Sequence, residues 1–296
     1  MSFFLKNNKK RPSHGAKIPP KSAFGHYNKK QGVRASLSRH EEGERQLQMS
    51  ISDLTLSYDK HTVVSSLSFE IHEGDYIAII GENGSGKSTL MNALLGLLEP
   101  SGGEIKSHIK KSEIGVLNQT SLEEIDFPAT VGEVVLSGCL GRDGNRLLLG
   151  KAAKQKAFSA MEKLGITSLA DRSFRELSGG QRQRALIARA LCSAKSVLFL
   201  DEPTAALDRA VISDLYALID DLNRGGMTIV TVTHDLRAAL NKSSYILHIS
   251  PNACLYLPTE EYKKTPTAQA LLESSDQNDD TLPYGEGGFR YTGGKS

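Results

Sequence analysis

The chain has 296 residues, 39% hydrophobic and 24% charged, with a net charge of +2. That length accommodates one sizeable domain with appendages, and no run of about 18 or more apolar residues is present to span a bilayer. Cys139, Cys192 and Cys254 lie far apart without a Cys-x-x-Cys pair, which fits reduced thiols rather than a disulfide framework, and the eight scattered histidines give no structural-zinc spacing.

Residues 1–48 hold eleven Lys or Arg against three Glu, so a basic leader precedes a mildly acidic body. Lys9-Lys10-Arg11, Pro19-Pro20 and Lys29-Lys30 stand among few periodic apolar residues, a composition expected to be disordered. The leader lacks the apolar core of a secretion signal. Two readings stay open for it: a solvated tail, with Met49 as an alternative start, or a basic arm for nucleic acid or anionic lipid.

Ordered structure is expected from about Met49. Residues 49–57 and 63–71 alternate apolar and polar side chains as half-buried strands do, whereas 75–80 is nearly continuous in Ile and Ala, as a buried strand would be. Residues 87–98 repeat apolar positions at helical spacing. Residues 130–170 read as mostly helical, and a further helix carries 182–191. Short apolar strands follow at 197–200, 228–232 and 245–249, with a helix over about 210–223 between the first two. Alternation of this kind predicts an α/β domain with a parallel sheet. Beyond Ser274 the chain is rich in Asp, Asn and Gly and is expected to be loose.

Gly81-Glu82-Asn83-Gly84-Ser85-Gly86-Lys87-Ser88 falls between the expected buried strand and helix. Glycines there let several backbone N–H groups turn inward around phosphate oxygens, and the helix start adds its positive dipole end. Lys87 is placed to reach the β- and γ-phosphates and Ser88 to ligate Mg²⁺. Residues 197–200 lead into Asp201 and Glu202. At a strand's carboxyl end the first acid can hold Mg²⁺ through water and the second can polarise an attacking water, as phosphoryl transfer requires.

These motifs, in this order, resemble the nucleotide-binding subunit of an ATP-binding cassette (ABC) transporter over about 49–257. The resemblance implies a P-loop, RecA-like α/β domain with an antiparallel β subdomain and an inserted helical subdomain at about 120–176, followed by an extension over 258–296. It implies ATP and Mg²⁺, with Gly81, Glu82, Asn83, Gly84, Ser85, Gly86, Lys87, Ser88 and Thr89 around the nucleotide and Asp201 on the metal. Leu177-Ser178-Gly179-Gly180-Gln181 is similar to the family's signature, which implies that Ser178 and Gly180 touch the γ-phosphate held by a second copy. Gln119 looks like the family's Mg²⁺- and permease-sensing glutamine, and His234 like its γ-phosphate switch histidine. Tyr58 falls where relatives stack an aromatic on adenine, although a lone tyrosine at a strand end also suits packing. Ala205-Ala206-Leu207-Asp208 resembles the loop that crosses the dimer interface.

The stretch 126–138, from Asp126-Phe127-Pro128 to Gly138, followed by Gly141-Arg142, resembles the helical subdomain of ATPases that drive zinc, manganese or iron importers. Phe127, Val131, Val134 and Val135 equally suit simple packing, and Asn118 stands where many relatives have proline. The resemblance implies a homodimer with two ATP sites, a separate membrane permease, an extracytoplasmic metal-binding protein acting through it, and a place on the cytoplasmic face of the membrane. No nucleic-acid partner is expected. The competing readings are the ATPase of another transporter, for iron chelates, cobalamin or export, and a soluble nucleic-acid-associated ABC protein. Against the last, the sequence has neither a second cassette nor a long coiled coil.

Overall fold

The computed structural model describes residues 45–58, 61–118, 128–140, 150–205, 207–250 and 253–279. Two long strands, β1 (Leu47–Tyr58) and β2 (His61–His72), pair antiparallel. β1 also pairs antiparallel with β4 (Gly102–Ser107), giving a three-stranded sheet in the order β2-β1-β4. Alternation buries one face: Met49, Ile51, Leu54, Leu56, Val64, Leu67, Phe69 and Ile71 all point into a core.

The second sheet has six strands in the order β5-β6-β7-β3-β8-β9. They are β3 (Tyr76–Gly81), β5 (Ile114–Leu117), β6 (Val197–Asp201), β7 (Thr228–Val232), β8 (Tyr245–Ser250) and β9 (Ala253–Pro258). The first five in the spatial order run parallel, and β9 turns back antiparallel on β8 at one edge. β3 and β7 are buried on both faces, β3 almost wholly apolar and β7 with Thr228 and Thr231 among its apolar residues, as expected of strands covered on both sides. The edge strand β9 shows intermediate exposure through most of its length.

Helices cover the second sheet: α1 (Lys87–Leu94), α5 (Arg209–Arg224), α6 (Leu236–Lys242), α7 (Thr259–Tyr262) and α8 (Pro266–Asp279). A further layer is built from α2 (Val131–Ser137), α3 (Lys151–Lys163) and α4 (Gly179–Ser193). α2 starts with a capping box in which the Thr130 hydroxyl accepts from the Glu133 N–H and the Glu133 carboxylate accepts from the Thr130 N–H. Val131, Val134 and Val135 then face inward against α4, so they pack the subdomain. Gly138 permits the closest approach of this layer, since a Cβ there would stand 2.0 Å from the Arg189 carbonyl oxygen on α4.

Several boundaries depart from the sequence expectation. The helix expected over 87–98 ends at Leu94, leaving Leu97 exposed. The helical stretch expected over 130–170 is two α-helices and a single 3-10 turn (Thr167–Leu169) among the described residues, with 141–149 outside them. α8 continues to Asp279, past the point where a loose tail is expected; Ala268 and Leu272 pack it against Tyr262, Leu240 and Ile246. The three cysteines are free thiols, Cys192 buried and the other two partly so.

Candidate active site

Strand register brings the site together. β7 lies between β3 and β6, with Ile79 and Asp201 both opposite Val232. The segment after β3, the acids ending β6 and the turn after β7 therefore emerge at one edge of the sheet. This is the carboxyl edge, where ligands bind in open α/β sheets.

After β3 the chain turns through Gly81, Gly84 and Gly86 at φ 149°, 77° and 103°. A Cβ at Gly81 would sit 2.2 Å from the Ile249 carbonyl oxygen, so only glycine passes there. Gly86, in the left-handed region, is the N-cap of α1. Lys87, 6% exposed, donates its Nζ to the Gly81 and Glu82 carbonyls at 2.9 and 2.8 Å. Burial lowers its ammonium pKa, while the negative charges of Glu202 and Asp201 oppose that shift. Ser85 is also buried, and its hydroxyl oxygen has no hydrogen-bond partner. Glu82, Asn83, Gly84 and Ser88 are exposed, and Thr89 is partly buried. Inward-turned glycines, a buried cation and an orphaned hydroxyl at a helix start fit a polyphosphate.

Asp201 ends β6 half-buried. Burial and the neighbouring Glu202 raise its carboxyl pKa, against the pull of Lys87 and His234. Glu202 follows at φ 48°, a conformation that costs an L-residue roughly 1–2 kcal/mol. Its N–H donates to the Val232 carbonyl at 3.0 Å. One carboxylate oxygen lies 2.6 Å from Nε2 of His234. Asp235 caps α6 by accepting from the Ala238 N–H, which fixes the turn that carries His234. Lys87, Asp201, Glu202 and His234 are thus one electrostatic cluster drawn from three strand ends.

Ser178 begins α4. Its hydroxyl accepts from the Gln181 N–H, and the Gln181 side-chain oxygen accepts from the Ser178 N–H, a reciprocal capping box. A Cβ at Gly180 would meet Val211 at 2.5 Å, so a side chain there would push α5 away. Ser178, Gly180 and Gln181 line a concavity of about 310 Å³ with Gly165, Ile166, Ser168, Leu169, Arg184 and Val211. No residue of the 81–89 segment lines it. Asp208 caps α5 through the Val211 N–H, and Ala206 lies outside the described residues.

Gln119, Asp126, Phe127, Gly141 and Arg142 lie outside the described residues, as does the side chain of Tyr58, whose backbone closes β1. One residue in this region was not picked out from sequence. Gln183, 2% exposed on the inner face of α4, donates Nε2 to the Pro203 carbonyl at 2.6 Å. The available signal was an amide two residues ahead of the apolar Ala185-Leu186-Ile187 run, in step with Ile187 one turn later.

A phosphate-cradling loop, a buried lysine and paired acids at the carboxyl edge of a parallel sheet define a P-loop nucleoside triphosphatase. The family model described as ABC transporter matches residues 64–205. The chain is 36% identical over 215 residues to the manganese transport system ATP-binding protein MntB of Bacillus subtilis, covering 71% of this chain and 86% of that protein. It is 37% identical over 222 residues to the zinc transport system ATP-binding protein TroB of Treponema pallidum, covering 72% and 84%. Among solved structures, a metal-chelate type ABC transporter in an inward-facing conformation superposes with a TM-score of 0.71 at 32% identity, over 77% of this chain and 90% of that one. The chain belongs to the ABC transporter family, as an ATP-binding, ATP-hydrolysing subunit. No helix among the described residues is long and apolar enough to cross a membrane.

Proposed function

We propose that this ATPase works as a homodimer with two shared ATP sites on the cytoplasmic face of the membrane, energising import of a divalent metal ion through a separate permease. An extracytoplasmic metal-binding protein supplies the ion to that permease. The metal reading rests on the relatives, which carry manganese and zinc transport in their names at 34–37% identity.

The observation that carries the dimer is the division of the site. The phosphate loop and acids form one cluster, and the start of α4 opens onto a separate concavity to which the loop contributes nothing. Two copies related by a two-fold axis bring each loop to the other's α4 start, an isologous contact. The α4 N–H groups and dipole then meet the γ-phosphate and exclude water from it.

In each site, Gly81, Glu82, Asn83, Gly84, Ser85, Gly86 and Thr89 wrap the phosphates with N–H and hydroxyl donors. Lys87 exchanges its two neutral carbonyl acceptors for charged phosphate oxygens, which make stronger bonds. Tyr58 offers a ring face to adenine. Ser88, Asp201 and Gln119 would hold Mg²⁺, which would neutralise phosphate charge. Glu202 accepts the proton of the attacking water, and His234 orients that carboxylate and senses the γ-phosphate.

Glu202→Gln tests this reading. The amide keeps the shape and loses the base, so hydrolysis falls by about 10²–10⁴ and an ATP-bound dimer accumulates in light scattering. Normal turnover in that variant would remove Glu202 from the role. Purification with the permease, followed by uptake assays across divalent ions, tests the cargo; uptake of none of manganese, zinc and iron would remove the metal assignment.

A further inference from the structure

Gln183 stands where packing alone would place an apolar residue. It is 2% exposed and shares the buried side of α4 with Ala185, Leu186 and Ile187. A buried amide costs free energy unless its groups are bonded, and here Oε1 has no hydrogen-bond partner while Nε2 has one. Stability is therefore a poor reason for an amide at this position. Its one bond, 2.6 Å to the Pro203 carbonyl, lands on the residue that follows Glu202.

Glu202 is held in a left-handed conformation by contacts on each side. Its N–H is fixed by Val232, its carboxylate by His234, and its own carbonyl accepts from the Ala205 N–H at 3.1 Å. The Gln183 bond anchors the buried Pro203 peptide inside this same turn. It does so from α4, one turn beyond Ser178.

We propose that Gln183 is a positioning residue for hydrolysis, locking the turn that aims the Glu202 carboxylate and tying it to the helix whose start completes the other site. This rests on the dimer reading above. A helix that meets the partner's nucleotide at its first turn thus governs the base for its own chain's nucleotide. Misplacing a reacting group by about 1 Å costs on the order of 10² in rate, so a released turn slows chemistry without weakening ATP capture.

The test uses the full chain with Gln183→Met, which fills similar volume and cannot donate. The expected result is a kcat lower by about 10- to 100-fold, with KM for ATP within about threefold of wild type and an ATP-bound dimer accumulating in light scattering as with Glu202→Gln. A kcat within about threefold of wild type overturns the proposal. So does slow turnover without dimer where Glu202→Gln dimerises, because Gln183 would then act in assembly. If Glu202→Gln itself fails to dimerise, the dimer reading falls, and Gln183 is judged on the kcat and KM split alone. Gln183→Asn, whose shorter amide withdraws from Pro203, is the second variant. Melting more than about 10 °C below wild type in both variants would make the residue a packing element and overturn the assignment.

Discussion

The backbone at Glu202 yields a stability prediction whose sign is unusual. At φ 48° a residue with a Cβ carries roughly 1–2 kcal/mol of strain, and glycine carries almost none. Glu202→Ala and Glu202→Gly both remove the carboxylate and its 2.6 Å contact with His234, so comparing the two isolates the backbone. At an ordinary negative φ, Ala is the more stable by about 0.5–1 kcal/mol, because glycine loses more freedom on folding. Setting the central values against each other leaves Glu202→Gly more stable than Glu202→Ala by about 0.75 kcal/mol, or about 1.5–3 °C in Tm for a domain of this size. Urea unfolding of both variants without ATP measures the difference, with equal m values required for the comparison. If Glu202→Ala equals or exceeds Glu202→Gly, the left-handed conformation is not the one populated in solution.

Gly138→Ala forces a Cβ to within 2.0 Å of the Arg189 carbonyl oxygen and 2.9 Å of the Cys192 Cβ, so α2 must lift off α4. A loss of about 2–3 kcal/mol is expected in urea, and an unchanged midpoint would contradict the packing. His248 is buried beside the Tyr262 hydroxyl, and burial pulls its imidazole down to about 4. The unfolded chain takes up that proton near 6.5, so this stabilising contribution is full above pH 6.5 and is lost as the pH falls towards 4, by up to about 3 kcal/mol. His248→Gln should therefore close on wild type in stability by about 2–3 kcal/mol between pH 7 and pH 4.5; a constant gap would refute the titration. Ser178→Asp keeps an N-cap acceptor, so Tm should hold within about 2 °C. Its charge repels a partner's triphosphate, so ATP-driven dimerisation should vanish in light scattering, and a persistent dimer would place Ser178 away from the phosphate.

The elements legible in the sequence were those whose signals are local. β3 is a nearly continuous apolar run, β7 is short and rich in β-branched residues, and the glycine spacing after β3 is dictated by its turns. β4 escaped notice because it begins Gly102-Gly103 and exposes most of its length on the small sheet's edge. β5 has four residues and β9 is an edge strand, so neither shows much periodicity by itself. α8 runs on through polar residues because Ala268 and Leu272 dock its start, a tertiary reason that composition hides. Within the site, residue identities were legible and contacts were not. His234 reaches Glu202 across 32 positions only because β6 and β7 are neighbours in register. Nothing local marks Gln183 as the partner of Pro203, since the bond depends on how α4 lies over the end of β6.

The strain at Glu202 and the burial of Gln183 have a common explanation. Glycine would relax the first and methionine would satisfy the second, yet neither supplies the group the site uses. A carboxylate placed just after a parallel strand must turn sharply to face the phosphate loop, and the left-handed conformation is that turn. Holding it takes bonds from three directions: Val232 from the adjacent strand, His234 from the turn after that strand, and Gln183 from α4. The first two come from β7 and the turn after it, and β7 pairs directly with β3, the strand that leads into the phosphate loop. The third belongs to the helix that begins at Ser178, so under the proposed dimer, seating that helix against a partner's nucleotide and aiming the base at its own become parts of one mechanical event. Under the proposed dimer, hydrolysis waits for closure, which is the order a transporter needs if ATP is not to be consumed before the permease has been driven.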